Sequence, residues 1–158
     1  MNHTTMTYLA LLHAEEAHKG QTRRNGMEPY FEHARRVAEA VSGYGCSEDA
    51  IAAAFLHDVI EDTKYTYKDL RDIGFSDQTI WYVRALTRGG QENKEAYENR
   101  IVESDDRELM IIKFCDLCDN MQLDLNYLWE GWEEAQLRYA RLRTILGRRI
   151  IALGLRDD

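Results

Sequence analysis

The chain has 158 residues, 44% of them hydrophobic, a single proline and a formal net charge of −8. That length builds one core and not two, and the acidic balance excludes a broad nucleic-acid or anionic-membrane surface, which needs a basic face. No run is long enough to span a bilayer or shaped like a secretion signal, and Cys46, Cys115 and Cys118 are too few and odd in number for a disulfide framework, so one domain over residues 1–158 in a reducing cytoplasm is expected.

Apolar residues recur at helical rather than alternating spacing, which predicts an all-α fold, a compact bundle of about eight helices. The first runs from Tyr8 to Gln21, and a loop rich in Arg, Asn and Gly follows. Pro29, whose fixed φ and missing N–H suit a helix start, opens the second, which carries His33 and stops near Gly43 and Gly45. Ser47 offers an N-cap, with Glu48 and Asp49 in the first turn, for a third helix through the apolar run Ile51 to Leu56. That helix is expected to be buried and to continue through His57 and Asp58 to Thr63. Shorter helices cover Tyr67 to Ile73 and Ser76 to Leu86, with Gly74 between them, and Arg88-Gly89-Gly90 marks a loop. Asn93 to Ser104 reads as a polar surface segment. A long helix is expected from Arg107 to Leu128 and a last one from Trp132 to Leu153, with arginines on its outer face.

The end of the third helix is electrostatically awkward. Asp58, Glu61 and Asp62 fall where the macrodipole is already negative, and Asp58 and Asp62, four residues apart, repel by roughly 0.2–0.5 kcal/mol. A divalent cation would compensate them, and imidazole plus carboxylate ligands suit Mn, Fe or Zn better than Ca. A solvated, frayed helix end is the plainer reading of these residues alone.

The long helix is apolar on nearly every side, yet Lys113, Asp116 and Asn120 form one polar stripe at spacings of three and four. An unpaired buried carboxylate costs several kcal/mol, so Asp116 needs a cation, a hydrogen-bond network, or simply Lys113 as its ion-pair partner. His33 sits among Phe31, Val37 and Ala38, where a lone histidine is more often a satisfied core residue than a ligand. Lys19, Arg23, Arg24 and Lys113 are the basic residues available for a small anionic substrate. Cys115 and Cys118 read as core thiols, Trp81, Trp129 and Trp132 as core or interface aromatics, His18 as no ligand, and Glu103 to Asp106 as a solvated turn.

Three stretches together resemble the HD superfamily of metal-dependent phosphohydrolases: Ala17 to His33 (AHKGQTRRNGMEPYFEH), Ala54 to Thr63 (AFLHDVIEDT) and Ile112 to Asn120 (IKFCDLCDN). Within it they are similar to the hydrolase domain of RelA/SpoT-type proteins and their small stand-alone homologues, without a synthetase domain in these 158 residues. The resemblance departs from the usual pattern at Phe31-Glu32 and Phe114-Cys115, and Leu117-Cys118-Asp119 before Asn120 is closer to the stand-alone members.

This resemblance implies one divalent metal, manganese in most members, held by His33, His57, Asp58 and Asp116. It implies Glu61 and Asp62 as the acidic pair that handles the attacking water and its protons. Arg24, Lys113 and Asn120 would bind substrate, which would be guanosine 3′,5′-bispyrophosphate (ppGpp) or the pentaphosphate, cleaved to GDP or GTP plus pyrophosphate. A nucleotidase or phosphatase of the same superfamily acting on another phosphorylated nucleotide, or a catalytically silent nucleotide-sensing module, are the alternatives. The expected partner is a small anionic nucleotide, with no nucleic acid and no membrane.

Overall fold

The alanine-rich segment after Ser47 sets the architecture. In a computed structural model that describes residues 5–24, 26–122 and 129–155, every residue from Ala50 to His57 is buried. Ser47 accepts a hydrogen bond from the Ala50 N–H at 3.2 Å and so caps the helix that begins at Glu48. Ala50, Ala52, Ala53 and Ala54 are each 0% exposed, and their small side chains let neighbouring helices lie close on several sides at once.

Nine helices are present among the described residues. They are α1 (Thr5–Ala17), α2 (Tyr30–Gly43), α3 (Glu48–Leu56), α4 (Val59–Asp62), α5 (Tyr67–Ile73), α6 (Asp77–Leu86), α7 (Lys94–Val102), α8 (Arg107–Asn120) and α9 (Trp132–Gly154). Helix α3 is central, packed against α1, α2 and α6, while α8 packs against α2 and α9. Strands are absent among the described residues apart from one isolated bridge, Thr22 to Pro29, which pins the loop before α2. The all-α bundle is thus as the sequence implies.

Two expectations about element ends are corrected. The third helix does not run unbroken to Thr63: it stops at Leu56, and Asp58 caps the separate short α4. Glu61 and Asp62 therefore belong to the single turn of α4 rather than to the end of α3, and the repulsion of Asp62 by Asp58 and Glu61 expected from the sequence remains. The long helix ends at Asn120, with Met121 beyond it; its expected continuation over 123–128 lies outside the described residues. The segment after Asn93 forms α7 and is largely exposed, as expected, with Tyr97 and Ile101 turned inward.

Because α3 is walled in on several sides, added volume there has no outlet. Ala53→Leu is expected to lower stability by about 1–3 kcal/mol, measured by chemical denaturation, with a smaller loss for a comparable change on the exposed face of α9.

Candidate metal centre

His57 is carried inward by the buried face of α3. Its Nδ1 donates to the Ala54 carbonyl at 2.6 Å, which leaves Nε2 as the free lone pair. That Nε2 is buried and forms no hydrogen bond, although Asp58 Oδ2 is 2.9 Å and Asp116 Oδ1 3.5 Å away. Buried polar atoms rarely go without a partner.

His33, 1% exposed, enters from α2. Its Nε2 lies 3.1 Å from Asp116 Oδ1 and 3.8 Å from Asp58 Oδ2, with the two imidazole rings 5.3 Å apart. One donor atom each from His33, His57 and Asp58 falls within 4.8 Å of the others, and Asp116 Oδ1 closes the fourth side from α8. Four elements thus deliver two imidazole nitrogens and two carboxylates to one point, and the partnerless Nε2 of His57 faces it. The donor chemistry fits a divalent ion of the Mn, Fe or Zn type.

The electrostatics of the set agree. Burial would depress the imidazoles, but Asp116 and Asp119 lift His33 above its ordinary 6.5, and Asp58 and Asp116 lift His57 well above it. Burial would raise the carboxylates, but His57 holds Asp58 below 3.8, and Lys113 with the two histidines holds Asp116 well below it. Protons on the imidazoles therefore stand where a cation fits.

The surrounding residues hold these groups in place. Tyr30, one turn before His33 on α2, donates to Asp58 Oδ2 at 2.6 Å. Lys113 donates to Asp116 Oδ2 at 2.8 Å and Asn120 to Oδ1 at 3.0 Å. Lys113 and Asp116 do pair, as the plain surface reading supposes, yet Asp116 still turns Oδ1 to the histidines. Asp119 accepts from His33 Nδ1 at 2.6 Å and is bound in turn by Arg36.

The centre opens into a cavity of about 730 Å³. Asp58, Asp116, Glu61, Asp62, Arg24, Lys113 and Asn120 all line it, so every expected site residue except the two buried histidines borders one space. Glu61 accepts from the Arg88 N–H at 2.6 Å. Burial, then Asp58 and Glu61, raise Asp62 to about 6. Arg24 lies 4.1 Å over the Trp129 ring at the cavity wall.

The structure places the remaining residues that the sequence singled out. Arg23 donates to Asn120 at 3.0 Å, and Arg24 borders the same cavity against Trp129. Trp129 and Trp132 line the cavity rather than a core, beside Tyr139 and Gln136. His18, 2% exposed, packs 4.9 Å from the Tyr30 ring and bonds Gln21 at 2.8 Å. Lys19 is exposed and not among the lining residues. The three cysteines are free.

In the metal-free protein, stability supplied by the raised histidines is full at low pH and lost as pH rises through their elevated values. Stability supplied by the depressed aspartates is present above about 4 and lost below it. Binding a divalent cation replaces the histidine protons, so affinity is expected to rise with pH and uptake to release protons. Calorimetric titration in two buffers of different ionisation enthalpy measures that release; binding without it would contradict the assignment of His33 and His57 as ligands.

Comparison with known proteins bears on this geometry. A family model described as "HD domain" matches residues 10–113. A protein of Aquifex aeolicus named guanosine-3′,5′-bis(diphosphate) 3′-pyrophosphohydrolase is 31% identical over 134 residues, 81% of this chain and 18% of the relative. The bifunctional (p)ppGpp synthase/hydrolase SpoT of Escherichia coli is 33% identical over 122 residues, 72% and 17% respectively. A Streptomyces coelicolor GTP pyrophosphokinase is 31% identical over 156 residues, 91% of this chain and 18% of the relative, so the chain spans less than a fifth of these proteins. The solved structure of a metazoan SpoT ortholog, described as hydrolysing ppGpp, shares the fold with a TM-score of 0.68 and 22% identity over 96% of this chain and 97% of that one. With the model covering well over half its length and both the His57-Asp58 pair and its surrounding helices in place, the chain belongs to the HD domain family.

Proposed function

We propose that this protein is a manganese-dependent phosphohydrolase that removes pyrophosphate from the ribose 3′ position of guanosine 3′,5′-bispyrophosphate. One observation carries the reading: His33, His57, Asp58 and Asp116 converge on one point, and Asp58 and Asp116 border a cavity to which Arg23, Arg24, Lys94 and Lys113 also contribute cationic groups. The named activities of the Aquifex and Escherichia relatives support the substrate. The free cysteines suit the reducing cytoplasm, and no helix among the described residues is long and apolar enough to cross a membrane.

A divalent ion at the centre supplies Lewis acidity toward a phosphoryl oxygen and acidifies water near it. The chain's own groups do the rest. Tyr30 fixes Asp58, and Lys113 with Asn120 fixes Asp116, so the donors are positioned before substrate arrives. Asp62 takes the proton of the attacking water, and its elevated proton affinity suits a base working near neutrality. Glu61, held by the Arg88 N–H, helps to orient that water. Hydrolysis breaks the bond between phosphorus and the ribose 3′ oxygen, which leaves as a hydroxyl after receiving a proton. Arg23, Arg24 and Lys113 offset the charge of the phosphates, and Trp129 and Trp132 offer flat apolar surface to the base.

Incubating the manganese-loaded protein with guanosine 3′,5′-bispyrophosphate is expected to give GDP and pyrophosphate in equal amounts. Orthophosphate as product would make the chain a phosphatase of the same family, and inertness across a nucleotide panel a sensing module; either overturns the proposal. Asp62→Asn is expected to lower kcat by about 10²–10⁴-fold while metal content is retained. In the unsubstituted protein kcat/KM is expected to fall as pH drops through about 6 or lower, since a bound cation pulls the Asp62 carboxyl down. Asp62→Asn should abolish that acidic limb.

A further inference from the structure

Asp119 stands behind His33 rather than beside the metal centre. Its Oδ2 is 2.6 Å from His33 Nδ1, and both groups are buried. The carboxylate does not move freely: Arg36 grips both oxygens, Nε on Oδ1 at 2.6 Å and Nη2 on Oδ2 at 3.1 Å. Glu28 grips Arg36 in turn, accepting from Nη1 and, at 3.2 Å, from Nη2. Gln122 adds a longer contact to Asp119 Oδ1 at 3.4 Å.

The spacing explains why these groups meet. His33 and Arg36 are three apart on α2, and Asp116 and Asp119 three apart on α8, so each pair projects from one face of its helix. Where α2 packs on α8, His33 is clamped with Nε2 toward Asp116 and Nδ1 toward Asp119. An acceptor with no proton of its own can take only the Nδ1–H tautomer. The Nε2 lone pair is thereby directed at the centre.

We infer that Asp119, locked by Arg36 and Glu28, is a positioning residue that selects the tautomer and orientation of His33 and strengthens it as a metal ligand. The inference rests on the metal-centre reading proposed above. A carboxylate behind a ligating imidazole raises its basicity and holds its ring, and losing such a partner weakens metal binding by about 10–100-fold. Arg36 keeps the carboxylate ionised and aimed, while Glu28 balances the charge of Arg36.

The test uses the full chain, stripped of metal and titrated with manganese chloride alone. Asp119→Ala is expected to weaken manganese binding about 10–100-fold, with Asp119→Asn, which keeps the shape and loses the charge, and Arg36→Ala falling between. In the zinc-loaded protein the His33 Nδ1–H proton should resist exchange by NMR and lose that protection in Asp119→Ala. Because Asp119→Asn is isosteric, it gives a reading even if the alanine variant does not fold. Variants that melt lower yet bind manganese with unchanged affinity would show a structural role only and overturn the inference. Wild-type protein that binds no metal would overturn the metal-centre reading and this inference with it; wild type that binds, with variants unchanged, overturns this inference alone.

Discussion

Two carboxylates that face the same two imidazoles, Asp116 buried and Asp58 partly buried, form the constraint on which the rest of this structure depends. Carboxylates withdrawn from solvent in this way need positive charge nearby. Lys113 supplies part of it to Asp116, and the imidazoles supply more only by carrying protons. A divalent cation at this point would satisfy both carboxylates and both imidazole lone pairs at once, taking the place of the protons.

Each layer of the fold serves that point. The alanine face of α3 allows α1, α2 and α6 to close around it and thereby buries His57. The break between α3 and α4 redirects the chain so that Asp58 turns to the centre while Glu61 and Asp62 move to the cavity mouth. Helix α2 contributes a stripe in which Tyr30, His33 and Arg36 each engage a carboxylate, Asp58, Asp116 and Asp119. Function and packing are therefore not separable along α2 or α8.

Much of this was legible in the sequence, and the reason is periodicity. His33, Asp116 and Asn120 lie on long helices whose apolar positions fix which way polar ones face. The alanine run likewise announced a buried α3, and Ser47 its start. What was not legible depends on local backbone geometry that spacing does not encode. The break after Leu56 follows from the chain turning at His57 and Asp58, so the acidic residues belong to the short α4 rather than to the end of α3. In the loop pinned by the Thr22–Pro29 bridge, Arg23 rather than Arg24 bonds Asn120, while both border the cavity. Trp129 and Trp132 have the composition of a core and the position of a cavity wall, a distinction only tertiary structure makes. Asp119 received no role from the sequence, because its partner Arg36 is 83 residues away.

The account stands on the location of the cation. Anomalous diffraction from crystals of the manganese-loaded protein tests it directly. A single strong peak at bonding distance, about 2.0–2.3 Å, from His33 Nε2, His57 Nε2 and oxygens of Asp58 and Asp116 is the result expected. A fully loaded crystal with no peak there, or with the peak on other residues, would contradict it.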